Sequence, residues 1–168
     1  DVLLYVSTYI VDGVVQPDGD YKVGDGYVKA GVRFWTGLGA DDYWSTADNW
    51  SGSAAPDGEV AIAYFTNSAS VTLDKDVVVQ KTIVNGGGAT VTIKDAGHIY
   101  KLGLNNDVTY QAFVSQHPND RLVMQPDLGL YNSADQHSRF YCNTAANNLG
   151  AIVFQGRMPL NTAHPYYF

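Results

Sequence analysis

Residues 34–50 carry Phe34-Trp35-Thr36-Gly37 and then Tyr43-Trp44-Ser45-Thr46-Ala47-Asp48-Asn49-Trp50. A Pro56-Asp57-Gly58-Glu59 turn leads on to two apolar-alternating runs, Val71 to Val84 and Ala89 to Ile93, joined by Asn85-Gly86-Gly87-Gly88. All three tryptophans of the chain lie in the first block. An indole buries a large area and its N–H needs an acceptor, so three so close together predict one aromatic plug. The runs beyond it are rich in β-branched residues, alternate with period two and stop at Asp, Asn and Gly. They read as short strands and turns.

Outward from this block the same grammar continues. Val60, Ile62, Tyr64 and Phe65 open a strand, and Asp74-Lys75-Asp76 is a turn inside the Val71–Val84 run. Towards the N-terminus, Val2, Leu4, Val6, Thr8 and Ile10 form a β-prone run, with Asp12-Gly13 as a hairpin turn. Pro17-Asp18-Gly19-Asp20 reads as a second turn and Gly24-Asp25-Gly26 as a third. Beyond Lys94 the pattern thins. Short strands are expected around Ile99, Leu102, Leu104, Val108, Tyr110 and Phe113, then at Leu122–Met124, Leu128–Tyr131, Arg139–Cys142 and Ala151–Phe154. His117-Pro118-Asn119-Asp120 is a turn, Asn143 to Asn148 a loop, and the aromatic tail 159–168 docks on this molecule or a neighbour.

The expected class is all-β: short stacked strands, as a partial right-handed β-solenoid or a β-sandwich, with an N-terminal β-arm. The expected organisation is an arm or meander over 1–33 and one β-rich domain over 34–168, with the aromatic cap at 34–56. At 168 residues the chain is long enough for one real core. Only 16% of residues are charged while 45% are hydrophobic, the profile of an extracellular-type β-protein rather than a disordered one. A net charge of -7 argues against nucleic acid as a partner. No apolar run is long enough for a membrane-spanning helix. The single Cys142, beside Phe140 and Tyr141, excludes an internal disulfide framework and reads as a small buried hydrophobe. The chain starts at Asp1, which fits removal of an export signal or a proteolytic boundary. The expectation is a secreted or cell-surface protein, most simply bacterial.

The tryptophan block, the Pro56-Asp57-Gly58-Glu59 turn and the stretch from Val71-Thr72-Leu73-Asp74 through Gly86-Gly87-Gly88-Ala89-Thr90-Val91-Thr92-Ile93 together resemble one family. They look like the opening of bacterial autotransporter-type passenger repeats and related large surface proteins. The resemblance covers residues 34–95 and implies secretion, a right-handed parallel β-helix and a surface or adhesive role. It brings no catalytic motif. Two features depart from the family: no membrane barrel follows, and the strands do not recur at a clean period.

Catalysis finds little footing. His98, His117, His137 and His164 are scattered without metal-ligand spacing, and Asp135-Gln136-His137 with Ser133 and Ser138 lacks a nucleophile elbow. Calcium is the one cofactor suggested: Asp/Asn/Gly loops supply its oxygen ligands, Asp41 and Asp42 first. Asn49-Trp50-Ser51 formally matches a glycosylation acceptor. Trp35, Tyr43, Trp44 and Trp50 form either a buried cap or, if their faces are open, a platform for sugar rings. Val2, Leu4, Val6, Thr8 and Ile10 form an arm that adds to a second copy, against the alternative of an edge strand in the chain's own fold. The reading is therefore a non-catalytic exported structural or adhesive protein that self-assembles head-to-tail into a filament, sheath or surface layer. A carbohydrate-binding module that engages glycan surfaces, or a fragment of a polysaccharide-active enzyme, are the alternatives.

Overall fold

The structure is a computed structural model and describes residues 3–103, 111–117, 119–130, 139–142 and 151–158. Val2, Leu104, Val108, Tyr110, Pro118, Tyr131, Ser133, Asp135, Gln136, His137, Ser138, Asn143 to Asn148, His164, the tail 159–168 and the Cys142 side chain lie outside what it describes.

The chain is all-β. The N-terminal strands are β1 (Leu3–Val6), β2 (Ile10–Val11), β3 (Val14–Val15), β4 (Gly19–Val23), β5 (Gly26–Ala30) and β6 (Val32–Phe34). A loop with two 3-10 turns, Ala47–Asn49 and Ser51–Ser53, leads to β7 (Gly58–Phe65), β8 (Ala69–Leu73), β9 (Val77–Val84), β10 (Thr90–Asp95) and β11 (Ile99–Leu102). The remaining strands are β12 (Gln111–Ser115), β13 (Arg121–Met124), β14 (Asp127–Leu130), β15 (Arg139–Cys142) and β16 (Ala151–Phe154). No helix among the described residues is long and apolar enough to cross a membrane.

Two sheets carry the body. One runs β16-β13-β10-β8. In the other, β9 is central: β11 and then β14 flank its first half, β12 and then β15 its second half, and β7 pairs its far edge, followed by β6. Every pairing in both sheets is parallel, so like faces stack on like faces. Val71 pairs with Ile93, Ile93 with Met124 and Met124 with Phe154, making one apolar column. Val77, Tyr100 and Leu128 make another in the facing sheet. The main core draws on both, with Val71, Ile93, Met124, Tyr100 and Phe113 all fully buried. The alternate side chains of the larger sheet (Val32, Ile62, Tyr64, Ile83, Val114) form a second, smaller core on its other face. β9 is buried on both faces along most of its length, its Val and Ile residues flanking a buried polar centre of Gln80, Lys81 and Thr82.

The N-terminal strands dock on that second face. β1 pairs parallel with β5, and β4 pairs antiparallel with β5. Tyr5 of β1 meets Tyr64 at 5.7 Å between rings, and Arg33 donates to the Ser7 carbonyl. Of the two expectations for the N-terminal run, an arm for a second copy or an edge strand of its own fold, Leu3 to Val6 follow the second: they pair with Tyr27 to Ala30 as the outer strand of that sheet. β6 carries the backbone straight across the expected boundary at 33/34. The turn expected over Pro17–Asp20 is shorter than its residues suggest: Gly19 and Asp20 already pair with Ala30 and Lys29.

Two devices fix how the strands stack. Asp57, Asp76 and Asp127 stand at strand entrances and accept the N–H of Val78 in β9, Ile99 in β11 and Arg157 just beyond β16. The second is a single buried carboxylate. Asp120 accepts the N–H groups of Gly86, Gly88, Ala89 and His117 at 2.8 to 3.2 Å, binding the β9–β10 turn to the β12–β13 turn above it. Gly87 and Gly88 adopt φ +68° and +112°, and a Cβ on Gly86 would lie 2.6 Å from the Thr66 carbonyl oxygen.

Replacing Gly86-Gly87-Gly88 by valines should lower the melting temperature sharply, since the turn needs both left-handed backbone and close approach. Asp120→Ala should cost about 1–3 kcal/mol, because it removes the acceptor of four turn N–H groups, the buried Ala89 N–H among them. Urea unfolding that leaves both variants like the parent would remove this account of the turn.

Candidate functional site

The loop between β6 and β7 is the most elaborately bonded part of the molecule. Its outer rim attaches to the open edge of β8: Thr72 donates its N–H to the Asp42 carbonyl and accepts the Trp44 N–H, making a parallel bridge with Tyr43. Its inner part closes the end of the main core. Trp44 is 0% and Trp50 2% exposed. Each buried indole has its acceptor: Trp44 Nε1 donates to the Pro56 carbonyl at 3.0 Å, and Trp50 Nε1 to the Trp44 carbonyl at 2.8 Å. Trp35 is half-buried and bridges backbone to Trp50, its ring edge-on to Trp50 at 5.0 Å. Its own indole N–H has no acceptor among the described residues.

From this plug an aromatic row runs through the core. Trp50 meets Trp44 at 4.8 Å, Trp44 meets Tyr100 at 5.6 Å, Tyr100 meets Phe113 at 5.8 Å and Phe113 meets Phe154 at 5.6 Å. These separations are those of favourable tilted and edge-to-face pairs. Tyr100 is polar at its tip, and its hydroxyl is matched by the buried Thr82 hydroxyl. Burial pushes its phenol above the ordinary value, which the Thr82 bond only partly offsets, so it stays neutral.

Asn49 organises the loop, a role no spacing rule announced. It is fully buried; its Oδ1 accepts the Gly39 N–H, and its Nδ2 donates to the carbonyls of Asp41 and Tyr43. Its own carbonyl takes the Thr36 N–H. The formal glycosylation acceptor is thus an internal strut in the folded chain. The only sequence signal was that an Asn precedes a Trp in a stretch without periodicity.

The expected site residues part company in space. Among the four aromatics, Trp44 and Trp50 lie inside the core while Tyr43 is 45% exposed, so they present no common open face. Asp41 turns into the loop, where its Oδ1 accepts from the Tyr43 N–H and the Thr46 hydroxyl. Asp42 turns the other way and pairs with Lys94 at 2.8 Å. Among the described residues no three His, Cys, Asp or Glu side chains converge as a metal site would require. Leu4 and Val6 pair within the chain, while Ile10 stands in the β2–β3 hairpin and is exposed.

Three carboxyls are held below their ordinary value of 3.8: Asp42 by Lys94, Asp76 first by the Ile99 N–H and then by Lys101, and Asp127 by Arg157. Comparison with family models, with curated proteins and with solved structures finds no match.

Trp50→Ala should cost roughly 3–5 kcal/mol, the range for deleting a large buried aromatic. Emission of the parent should be blue-shifted; a maximum typical of water-exposed indole from all three tryptophans would contradict the plug. Asn49→Asp should be about as damaging as Asn49→Ala, because a carboxylate cannot donate to the two carbonyls. A depressed carboxyl pKa gives stability that is complete above the unfolded value and lost as pH falls through the folded one. Thermal stability should therefore be flat above about pH 5 and decline below 3.8. A melting temperature that rises on acidification would contradict these pairings.

Proposed function

We propose that the chain is a non-catalytic, exported structural or adhesive surface protein whose parallel sheets are the faces of a β-solenoid, and that it assembles with further copies of itself. One observation carries this reading. Strands far apart in sequence pair in parallel register in both sheets, and the tryptophan loop covers the first edge of one of them. Stacked layers of this kind need covering at each terminal edge, by a loop or by another chain. The titratable groups of the described region support it as well. Asp42, Asp57, Asp76 and Asp127 are spent on ion pairs and strand entrances, and Asp120 on turn N–H groups. This is how side chains serve a scaffold.

Purified protein in neutral buffer, viewed by negative-stain electron microscopy across a concentration series, should show ordered assemblies with one repeating width. Isolated compact particles at every concentration, or turnover of an acidic polysaccharide, would contradict the proposal. A glycan array that responds to the parent but not to Tyr43→Ala would favour a carbohydrate-binding module.

A further inference from the structure

The turn that joins β9 to β10 carries a reactive dipeptide. Asn85-Gly86 is the one Asn-Gly pair in the chain. Glycine has no Cβ to shield its nitrogen, so in this pair the Gly86 nitrogen can attack Cγ of the preceding side chain. The N–Cγ bond forms as the Cγ–Nδ2 bond breaks, and Nδ2 leaves as ammonia with the proton from Gly86. Water then opens the succinimide at either carbonyl, leaving aspartate or isoaspartate. The reaction needs only a free Gly86 nitrogen and an Asn85 side chain able to swing onto it.

The closed turn withholds both. The Gly86 N–H donates to Asp120 Oδ2 at 3.0 Å. Losing that proton would set an amide anion against a carboxylate, which like charge opposes. Asp120 is itself pinned: its N–H bonds the His117 carbonyl, while its own carbonyl accepts the Ser115 hydroxyl and the Ala151 N–H. Asn85 Nδ2 donates to the Tyr64 hydroxyl at 2.8 Å, which ties the side-chain amide to β7. The Asn85 N–H stays bonded to the Phe65 carbonyl. Tyr64 packs on the rings of Phe34 and Tyr5, at 5.0 and 5.7 Å.

We infer that Asn85-Gly86 is a latent self-modification site, inert while Asp120 and Tyr64 hold it and converted once the glycine turn opens. Conversion to isoaspartate is one-way. It routes the main chain through the former side chain and lengthens it by a methylene just before Gly86. Gly86 has no slack to absorb this, since even a Cβ on it would lie 2.6 Å from the Thr66 carbonyl oxygen. A converted turn therefore cannot return the Gly86, Gly88 and Ala89 N–H groups to Asp120, and the β9–β10 turn parts from the β12–β13 turn. Aspartate, the other product, keeps the main-chain length and can close again. The isoaspartyl linkage thus records that these layers have come apart.

Peptide mapping by mass spectrometry tests this on the full chain, incubated in mildly alkaline buffer with and without urea. Exchange of ammonia for water changes the mass of the peptide that holds Asn85, whereas isomerisation at the Asp-Gly pairs does not. The unfolded chain should convert at Asn85 at least about tenfold faster than the folded one. Asp120→Asn and Tyr64→Phe, each checked for folding by circular dichroism, should convert several-fold faster than the parent without urea. After urea is removed, chains with isoaspartate at 85 should melt well below unconverted chains treated alike. Equal rates with and without urea would overturn the protection, and an unfolded chain that stays unconverted would overturn the site. A folded Tyr64→Phe that converts at the parent's rate, with Asp120→Asn doing the same or failing to fold, would overturn the two guards. Isoaspartyl chains that recover the parent's melting temperature would overturn the one-way step.

Discussion

Two buried hydrogen bonds let the rest of the molecule stand: Trp50 Nε1 to the Trp44 carbonyl, and Trp44 Nε1 to the Pro56 carbonyl. A stack of parallel strands has an end, and at that end the core meets water. Indoles can close it only if their N–H groups are satisfied, since a buried donor without an acceptor costs more than an ordinary hydrogen bond returns. The loop solves this internally for Trp44 and Trp50, each finding a carbonyl within 44–56. Asn49 ties the turns beside them, holding the Asp41 and Tyr43 carbonyls and the Gly39 N–H. Once the plug is set, Tyr100, Phe113 and Phe154 extend it layer by layer.

The other end of the problem is register. Parallel strands linked by turns slide unless something marks each layer, and a one-residue slip would turn every inward side chain outward. Here the marks are side-chain oxygens. Asp57, Asp76 and Asp127 each take one N–H of the following layer, and Asp120 takes four across two turns. These bonds act at the corners, where the main-chain ladder is interrupted, and free the strand interiors for aliphatic columns.

Much of the local structure was legible. The Asp12-Gly13 hairpin and the glycine-rich turn stand where turn chemistry placed them, because left-handed backbone admits few residue types, and the Asp74–Asp76 turn lies between β8 and β9 as expected. Alternation marked Val71–Val84 as strand but gave neither its neighbours nor its facing throughout, since Val77, Val79 and Val84 enter the main core and Ile83 the second. The steps between partners are unequal, from 71 to 93, 93 to 124 and 124 to 154, so no clean period marks the stacking. The tryptophan block was equally ambiguous. Trp35, Tyr43, Trp44 and Trp50 carry similar chemistry, and only the bridge to Thr72 decides that two are sealed and one is open. Asn49 and Asp120 were invisible as hubs because their partners are backbone N–H and C=O groups, which every residue supplies. The N-terminal run read equally as an arm for a second copy or as an edge strand of its own fold, because its propensity says strand and says nothing of β5.

The indole protons give the most direct test of the plug as the element that closes the core. In native-state hydrogen exchange followed by nuclear magnetic resonance, the Trp44 and Trp50 Nε1 protons should exchange as slowly as the amides of Val91 and Ile93. All four would then be released only by global unfolding. The Trp35 indole proton, half-buried and without an acceptor among the described residues, should exchange far faster. Exchange of Trp44 and Trp50 at the Trp35 rate, with the strand amides still protected, would show that the loop opens on its own and that the core does not depend on it.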